Sequence, residues 1–201
     1  MLRPFLLEEP GTVAEASALL ARYEDAVRVY AGGTELLLAM KEGFLRYERL
    51  INIKRIPGLD GVTRDEGRRL LRIGPLTTHR ALSRAPIVRE RLPELAEVED
   101  HVGNIRVRTV GTLGGNLCFA EPHADPGTFL LLCDAEVVLS RAAGQRTLPL
   151  QRFVTGPYET ALEPDEVLTE IRVPLLPPNS AIAYRKFGFL ERPSIGVGVA
   201  L

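Results

Sequence analysis

The chain has 201 residues, 45% of them hydrophobic and 25% charged, with a formal net charge of −1. That length can bury a core, and the near-neutral balance lacks the basic excess expected of a surface for nucleic acid or an anionic membrane. No uninterrupted apolar stretch approaches the roughly 18 residues of a membrane span, and Arg3, Pro4, Glu8, Glu9 and Pro10 spoil a secretory signal, so a cytoplasmic protein is expected.

Along the chain, Thr12-Val13-Ala14-Glu15 reads as a capping box that opens a helix carrying Val13, Ala16, Leu19, Leu20 and Tyr23 inward. Residues 26–31 read as a buried strand, and after Gly32-Gly33 a helix over 35–41 is expected, with Thr34 as its N-cap and its end near Gly43. Residues 49–53 supply the next strand, so residues 1–55 form a small β-α-β unit. A larger mixed region spans 56–178. It has a strand at 70–74, a capped helix at 78–85, a helical stretch over 87–101 broken by Pro93, and a helix over 125–133 with proline at its first position. Strands are expected at 136–140, 167–173, 181–187 and 195–201, the last two in a C-terminal region, 179–201, beyond the Pro174 to Pro178 connection. The basic cluster Arg64, Arg68, Arg69 and Arg72 reads as a solvated face around a loop.

Two glycine segments carry the chemistry. Ala31-Gly32-Gly33-Thr34-Glu35 and Thr112-Leu113-Gly114-Gly115-Asn116 each read as a turn that follows a strand-like run and precedes a helix-like one. Glycine tolerates positive φ and has no Cβ, so consecutive N–H groups can converge on an anion. Two such turns suit a diphosphate. A purely local reading makes Thr34 a helix cap and the others turn residues.

Other reactive groups are sparse. Cys118 and Cys133 are the only cysteines, too few for an iron–sulfur cluster held by four thiolates, and read as reduced core thiols. His79, His101 and His123 show no metal-type spacing, and no Gly-x-Ser-x-Gly elbow points to a hydrolase.

Several segments in order resemble one family. They are Val29-Tyr30-Ala31-Gly32-Gly33-Thr34-Glu35-Leu36-Leu37, Ile105 to Asn116 ending Thr-Leu-Gly-Gly-Asn, Pro122-x-x-Asp125, Asp134 to Val137, Glu166 to Pro174, and Tyr184-Arg185-Lys186-Phe187. Together they resemble the FAD-binding subunit of molybdenum hydroxylases, the family of carbon monoxide dehydrogenase and xanthine dehydrogenase. The resemblance implies an α+β, two-subdomain FAD-binding fold of the vanillyl-alcohol oxidase and molybdopterin dehydrogenase type, here lacking most of the usual C-terminal domain. It implies that Val29 to Leu36 line the diphosphate and the isoalloxazine edge and that Thr112 to Asn116 approach from the other side, with the N–H groups of Gly33, Thr34, Gly114 and Gly115 as donors and Thr34 and Asn116 adding side-chain hydrogen bonds. Asp125 then accepts from ribose hydroxyls, or else serves as a simple N-cap. Leu168 packs on the flavin ring and Lys186 sits near its polar edge, with strand core and solvated lysine as the plain alternatives. Val102 falls where some relatives place a stacking aromatic, a role valine cannot fill.

By the same resemblance the flavin takes electrons from iron–sulfur clusters and passes them to an external acceptor. The clusters and a molybdenum cofactor then reside on partner subunits. A free-standing flavin oxidoreductase, and a shortened form that keeps the fold without binding flavin, are the two competing readings.

Overall fold

The computed structural model describes residues 2–189 and 192–201. The chain opens with strand β1 (Leu6–Glu8) and helix α1 (Val13–Tyr23), followed by β2 (Val27–Tyr30), α2 (Leu36–Glu42) and β3 (Arg49–Asn52). These strands make a parallel sheet in the order β1-β3-β2. The capping box forms with one change: the Glu15 N–H donates to Thr12 Oγ1 at 3.1 Å, but the Glu15 carboxylate accepts from Gly11 N, one residue earlier than a capping box requires. Ala16 and Leu20 are buried, and with Val27, Ile51 and Ile53 they fill a small core on this sheet.

The second region is built on a five-stranded antiparallel sheet. It takes β4 (Val62–Asp65), β5 (Leu70–Ile73), β6 (Glu136–Arg141), β7 (Gly144–Pro149) and β10 (Val167–Pro174), in the order β4-β5-β10-β6-β7. Between β5 and β6 come six helices: α3 (His79–Arg84), α4 (Pro86–Arg91), α5 (Pro93–Asp100), α6 (Ile105–Val110), α7 (Leu113–Phe119) and α8 (Asp125–Leu132). The short helix α9 (Leu150–Phe153) and the small hairpin β8 (Val154–Gly156) and β9 (Glu159–Thr160) lie between β7 and β10. A last hairpin pairs β11 (Ile182–Phe189) with β12 (Arg192–Ala200).

Side-chain alternation places the layers. Val137 and Leu139 of β6 point into the main core with Leu71, Ile73, Ile171 and Val173, against Leu82, Leu95, Leu113, Phe129 and Leu130 from the helices. Val138, between them, is also buried and so faces the other way, toward α1, which packs on β6 and β10. Ser17 of α1 fixes that contact by accepting the Ala142 N–H at 3.0 Å. The N-terminal unit is therefore docked on the back of the large sheet.

Several sequence expectations are corrected. The second glycine pair does not follow a strand: α6 precedes it, and Gly114 and Gly115 lie within the first turn of α7. Helix α2 starts after Glu35, so Thr34 does not cap it, and no side chain does. In α8 the N-cap is Ala124, Asp125 holds the first position and Pro126 follows it. Strands β1, β4, β7, β8 and β9 are additions to the elements expected from the sequence. The basic cluster is tied at Arg64 to Glu66 and at Arg72 to Glu170, while the thiols of Cys118 and Cys133 are unpaired and burial pushes both up to about 12.

Phe129 is wholly buried and meets Tyr184 edge to face, with ring centroids 6.3 Å apart. Truncation to alanine should cost about 3–5 kcal/mol, read as a shift in the urea midpoint at unchanged slope.

Candidate functional site

One large cavity, of about 1650 Å³, opens between the N-terminal unit and the second region. It exceeds the roughly 300–1,000 Å³ that hold a drug-sized ligand, as a dinucleotide requires. Its floor is made where the two glycine segments meet. A Cβ on Gly32 would land on the Val110 carbonyl oxygen and 2.8 Å from Gly111 Cα, so the backbones of the β2-α2 and α6-α7 loops touch only because Gly32 has no side chain. Gly33 follows at φ +74°, the left-handed region, where a Cβ would also fall on the Tyr30 ring.

The loop after β2 is a ready anion cradle. The N–H groups of Gly32, Gly33, Thr34 and Glu35 donate to no acceptor among the described residues, and all four residues line the cavity. The loop sits at the carboxyl end of a parallel strand, the usual position of a binding crevice in such sheets.

The second segment contributes differently from the sequence expectation. Gly115 N–H donates to Thr112 Oγ1 at 3.1 Å and Gly114 N–H to Pro75 O at 2.9 Å, so neither is free for a phosphate. A Cβ on Gly114 would lie 2.8 Å from both Pro75 Cα and Pro75 O, which makes this glycine a packing requirement of α7. What the segment offers is Asn116, whose Oδ1 is buried without a hydrogen-bond partner and which lines the cavity. An orphaned buried acceptor of this kind is a cost that a ligand donor would relieve.

Of the residues singled out in the sequence, Val29, Ala31 to Leu36, Thr112, Gly114 to Asn116, Asp125, Leu168 and Lys186 all line this cavity, as does Val102. Tyr30 and Leu113 do not. Tyr30 packs beside Gly33 with Lys54 Nζ 4.0 Å above its ring, and Leu113 is fully buried in the main core. Leu168 stands at the cavity end of β10, where the pairing with β6 shifts register between Leu168 and Glu170.

Asp125 is 5% exposed and already engaged, accepting from Tyr184 Oη at 2.7 Å and from Lys186 Nζ. Burial and the Asp125 carboxylate both push the Tyr184 hydroxyl up, so it stays protonated and donating. Gly196 on β12 makes room for that hydroxyl. Around the rest of the wall, Glu35 is raised by burial and then by Glu121, which itself accepts from His123 N and Nδ1.

Sequence reasoning missed Gly111 and the loop before α3. Thr78 pairs with Thr112, and Leu113 N and His79 N donate to Thr77 O and Gly111 O at 3.0 and 3.1 Å, so this loop pins the second glycine segment in place. The only local signal for it was the Thr78 cap, which accepts from Ala81 N.

Comparisons with known proteins identify the family. Residues 3–176 match the model of the FAD binding domain in molybdopterin dehydrogenase. The carbon monoxide dehydrogenase medium chain of Hydrogenophaga pseudoflava is 40% identical over 182 residues, covering 90% of this chain and 63% of that one. The xanthine dehydrogenase FAD-binding subunit of Escherichia coli O157:H7 is 34% identical over 167 residues, covering 83% of this chain and 56% of its own length. A solved structure of the Hydrogenophaga carbon monoxide dehydrogenase superposes with a TM-score of 0.92 at 36% identity, covering 96% of this chain and 67% of that one. The fold and site thus define a flavin-binding domain. The chain belongs to the family of FAD-binding domains of molybdopterin dehydrogenases, and it spans less than two thirds of the length of these two curated relatives.

Two outcomes test the geometry. Gly32→Ala should drive the two loops apart, because the obstructing atoms are backbone, and lower the thermal midpoint, whereas Gly43→Ala, at an exposed helix end with open space around it, should act through backbone strain alone and leave the cavity intact. Glu166, on the cavity wall, gives a pH signature. Burial raises its carboxyl, but bidentate hydrogen bonds from Arg146 at 2.7 and 2.8 Å and one from Glu163 N outweigh this and hold it below the ordinary range. A depressed folded value stabilises the native state above the unfolded value and is lost as pH falls through the folded one. Glu166→Gln should therefore cost about 2 kcal/mol near neutrality and flatten the acid limb of stability against pH, measured by denaturant titration.

Proposed function

We propose that this chain is the FAD-binding, electron-transfer part of a cytoplasmic molybdenum hydroxylase, working beside an iron–sulfur subunit and a molybdenum-cofactor subunit. The observation that carries the reading is the cradle at the glycine contact: four successive N–H groups without acceptors, next to the orphaned Asn116 Oδ1, at a cavity of dinucleotide size. When bound, the flavin supplies the redox chemistry, accepting electrons on one side and releasing them to an acceptor on the other.

The chain's own residues bind and orient. Gly32 to Glu35 hold the diphosphate through backbone N–H groups, and Thr34, freed from capping, adds its hydroxyl. Asn116 accepts from a cofactor N–H or hydroxyl. Asp125 keeps lone pairs beyond those used by Tyr184 and Lys186, enough for a ribose hydroxyl, and Lys186 is held by Asp125 at the same wall. Leu168 gives the ring an apolar surface. No residue here has to act as nucleophile or acid–base catalyst.

The partner assignment rests on what the relatives are. The similar proteins are medium chains and FAD-binding subunits, and among the described residues no three metal-ligating side chains cluster.

The purified chain, mixed with excess FAD and freed of unbound flavin, should retain flavin that heat or acid releases. Gly33→Val should lose it, since valine disfavours positive φ and collides with Tyr30, while Cys133→Ser should keep it. A folded wild-type chain that retains no FAD would sink the cofactor assignment. Recovery from its host as a lone species that oxidises organic substrates by itself would replace the subunit reading with a free-standing oxidoreductase.

A further inference from the structure

The side chain of His79, the first residue of α3, has no part in the roles assigned above. It is 2% exposed, and its Nδ1 lies 2.5 Å from Oε2 of Glu99 on α5, a carboxylate with no exposure and with Oε1 unpartnered. Two ionisable groups taken so far out of water are costly, and an apolar pair would fill the same space without that penalty. The ring's other edge points to the glycine contact. His79 Cδ2 and Thr34 Oγ1 lie 3.1 and 3.4 Å from one point, where a Cβ on Gly111 would begin. Nε2 is bonded to Cδ2, has no hydrogen-bond partner among the described residues, and belongs to a side chain that reaches the cavity wall.

The proton count matters most. One proton shared between Nδ1 and Oε2 leaves the pair without net charge. Both ways of placing it, imidazolium facing carboxylate or carboxylic acid facing neutral imidazole, leave a second proton on Nε2. Burial, with Asp100 and Asp125 nearby, pushes the Glu99 carboxyl up against the His79 hydrogen bond that pulls it down. In either placement Nε2–H is a free donor on the ring edge that carries Cδ2 toward Gly111 and Thr34.

Other basic side chains on the wall are already engaged or lie in the open. Lys186 is held by Asp125, His123 by Glu121, and His101 by the Glu97 carbonyl, and Arg28 is exposed. A diphosphate at the cradle must also tolerate the carboxylates of Glu35 and Glu121 on the same wall.

We infer that His79 is a further ligand of the cofactor's diphosphate, its Nε2–H donating to a phosphate oxygen held by the Gly32 to Glu35 amides, with Glu99 as the positioning residue that keeps that proton in place. The inference rests on the flavin reading of the cavity. Its chemical claim is narrower, since it concerns the diphosphate and not the flavin ring.

The test uses the 201-residue chain and three probes: FAD, ADP, which keeps the diphosphate, and riboflavin, which lacks it. Calorimetric affinities for His79→Phe should fall roughly 10- to 100-fold for FAD and ADP, as loss of one charge-assisted hydrogen bond implies, with riboflavin binding unchanged. Nitrogen-15 spectra of histidine-labelled wild type should show Nε2 of His79 protonated and shifted on adding ADP. This second reading stands even if His79→Phe does not fold. Equal ADP affinity in a folded His79→Phe variant, or an unprotonated Nε2 in the ADP complex, overturns the role of His79 and leaves the flavin assignment standing. A wild-type chain that binds none of the three probes overturns the flavin assignment itself.

Discussion

Everything at the cavity depends on the contact of two backbones, Gly32 against Val110 and Gly111. Each segment is fixed by its own surroundings: the first by the parallel pairing of β2 with β3, the second by the loop before α3 that takes up Gly111 O, Leu113 N and Gly114 N. Both supports are held by backbone hydrogen bonds, and the amides of Gly32 to Glu35 stay open to the cavity instead of folding back on the chain. A methyl group at position 32 would separate the supports by more than a side-chain adjustment could absorb.

A cavity between two cores that carries charged side chains on its walls is stable only where those charges find partners. Two of its carboxylates are closed by partners from a different element. Asp125 at the start of α8 meets Tyr184 and Lys186 on β11, and Glu166 before β10 meets Arg146 on β7. These pairs also fasten the β11-β12 hairpin and the β9-β10 connection to the body of the molecule. The polar groups needed for a ligand are therefore the same ones that hold the walls together, and buried networks of this sort specify one arrangement when each member is satisfied.

The elements legible in the sequence were those with strong local signals. The Thr12 and Thr78 caps, the Pro93 break, the β2-turn-α2 passage and the strands of β5, β6 and β10 stand where periodicity and capping chemistry put them. The misses share a physical cause. β1 and β4 are short and acquire their conformation from partners distant in sequence or across a tight hairpin, Arg49 to Ile51 for β1 and Leu70 to Ile73 for β4. Gly114 and Gly115 looked like a turn because glycine usually breaks structure, yet both sit in a helix whose close approach to Pro75 and whose Thr112 cap exclude side chains. Thr34 was the natural cap by composition, but the helix begins one residue later and leaves its hydroxyl free. His79 and Glu99 are twenty positions apart on separate helices, and nothing local in either segment announces the pair.

Most of the unsatisfied polar groups stand at or beside the cavity. Among the described residues three buried side-chain atoms lack hydrogen-bond partners. One is Asn116 Oδ1 on the cavity wall, another is Glu99 Oε1 in the pair with His79, and the third is Arg64 Nε on β4. With the open amides of Gly32 to Glu35, these are groups that folding alone does not satisfy. Their cost is tolerable because the two cores on either side are fully packed, with Leu71, Ile73 and Leu113 on one side and Ala16 and Ile51 on the other all at 0% exposure. A fold that spends stability at one place, between two well-packed bodies, leaves binding energy to be gained there, and a dinucleotide that satisfied those groups would tie the two bodies together.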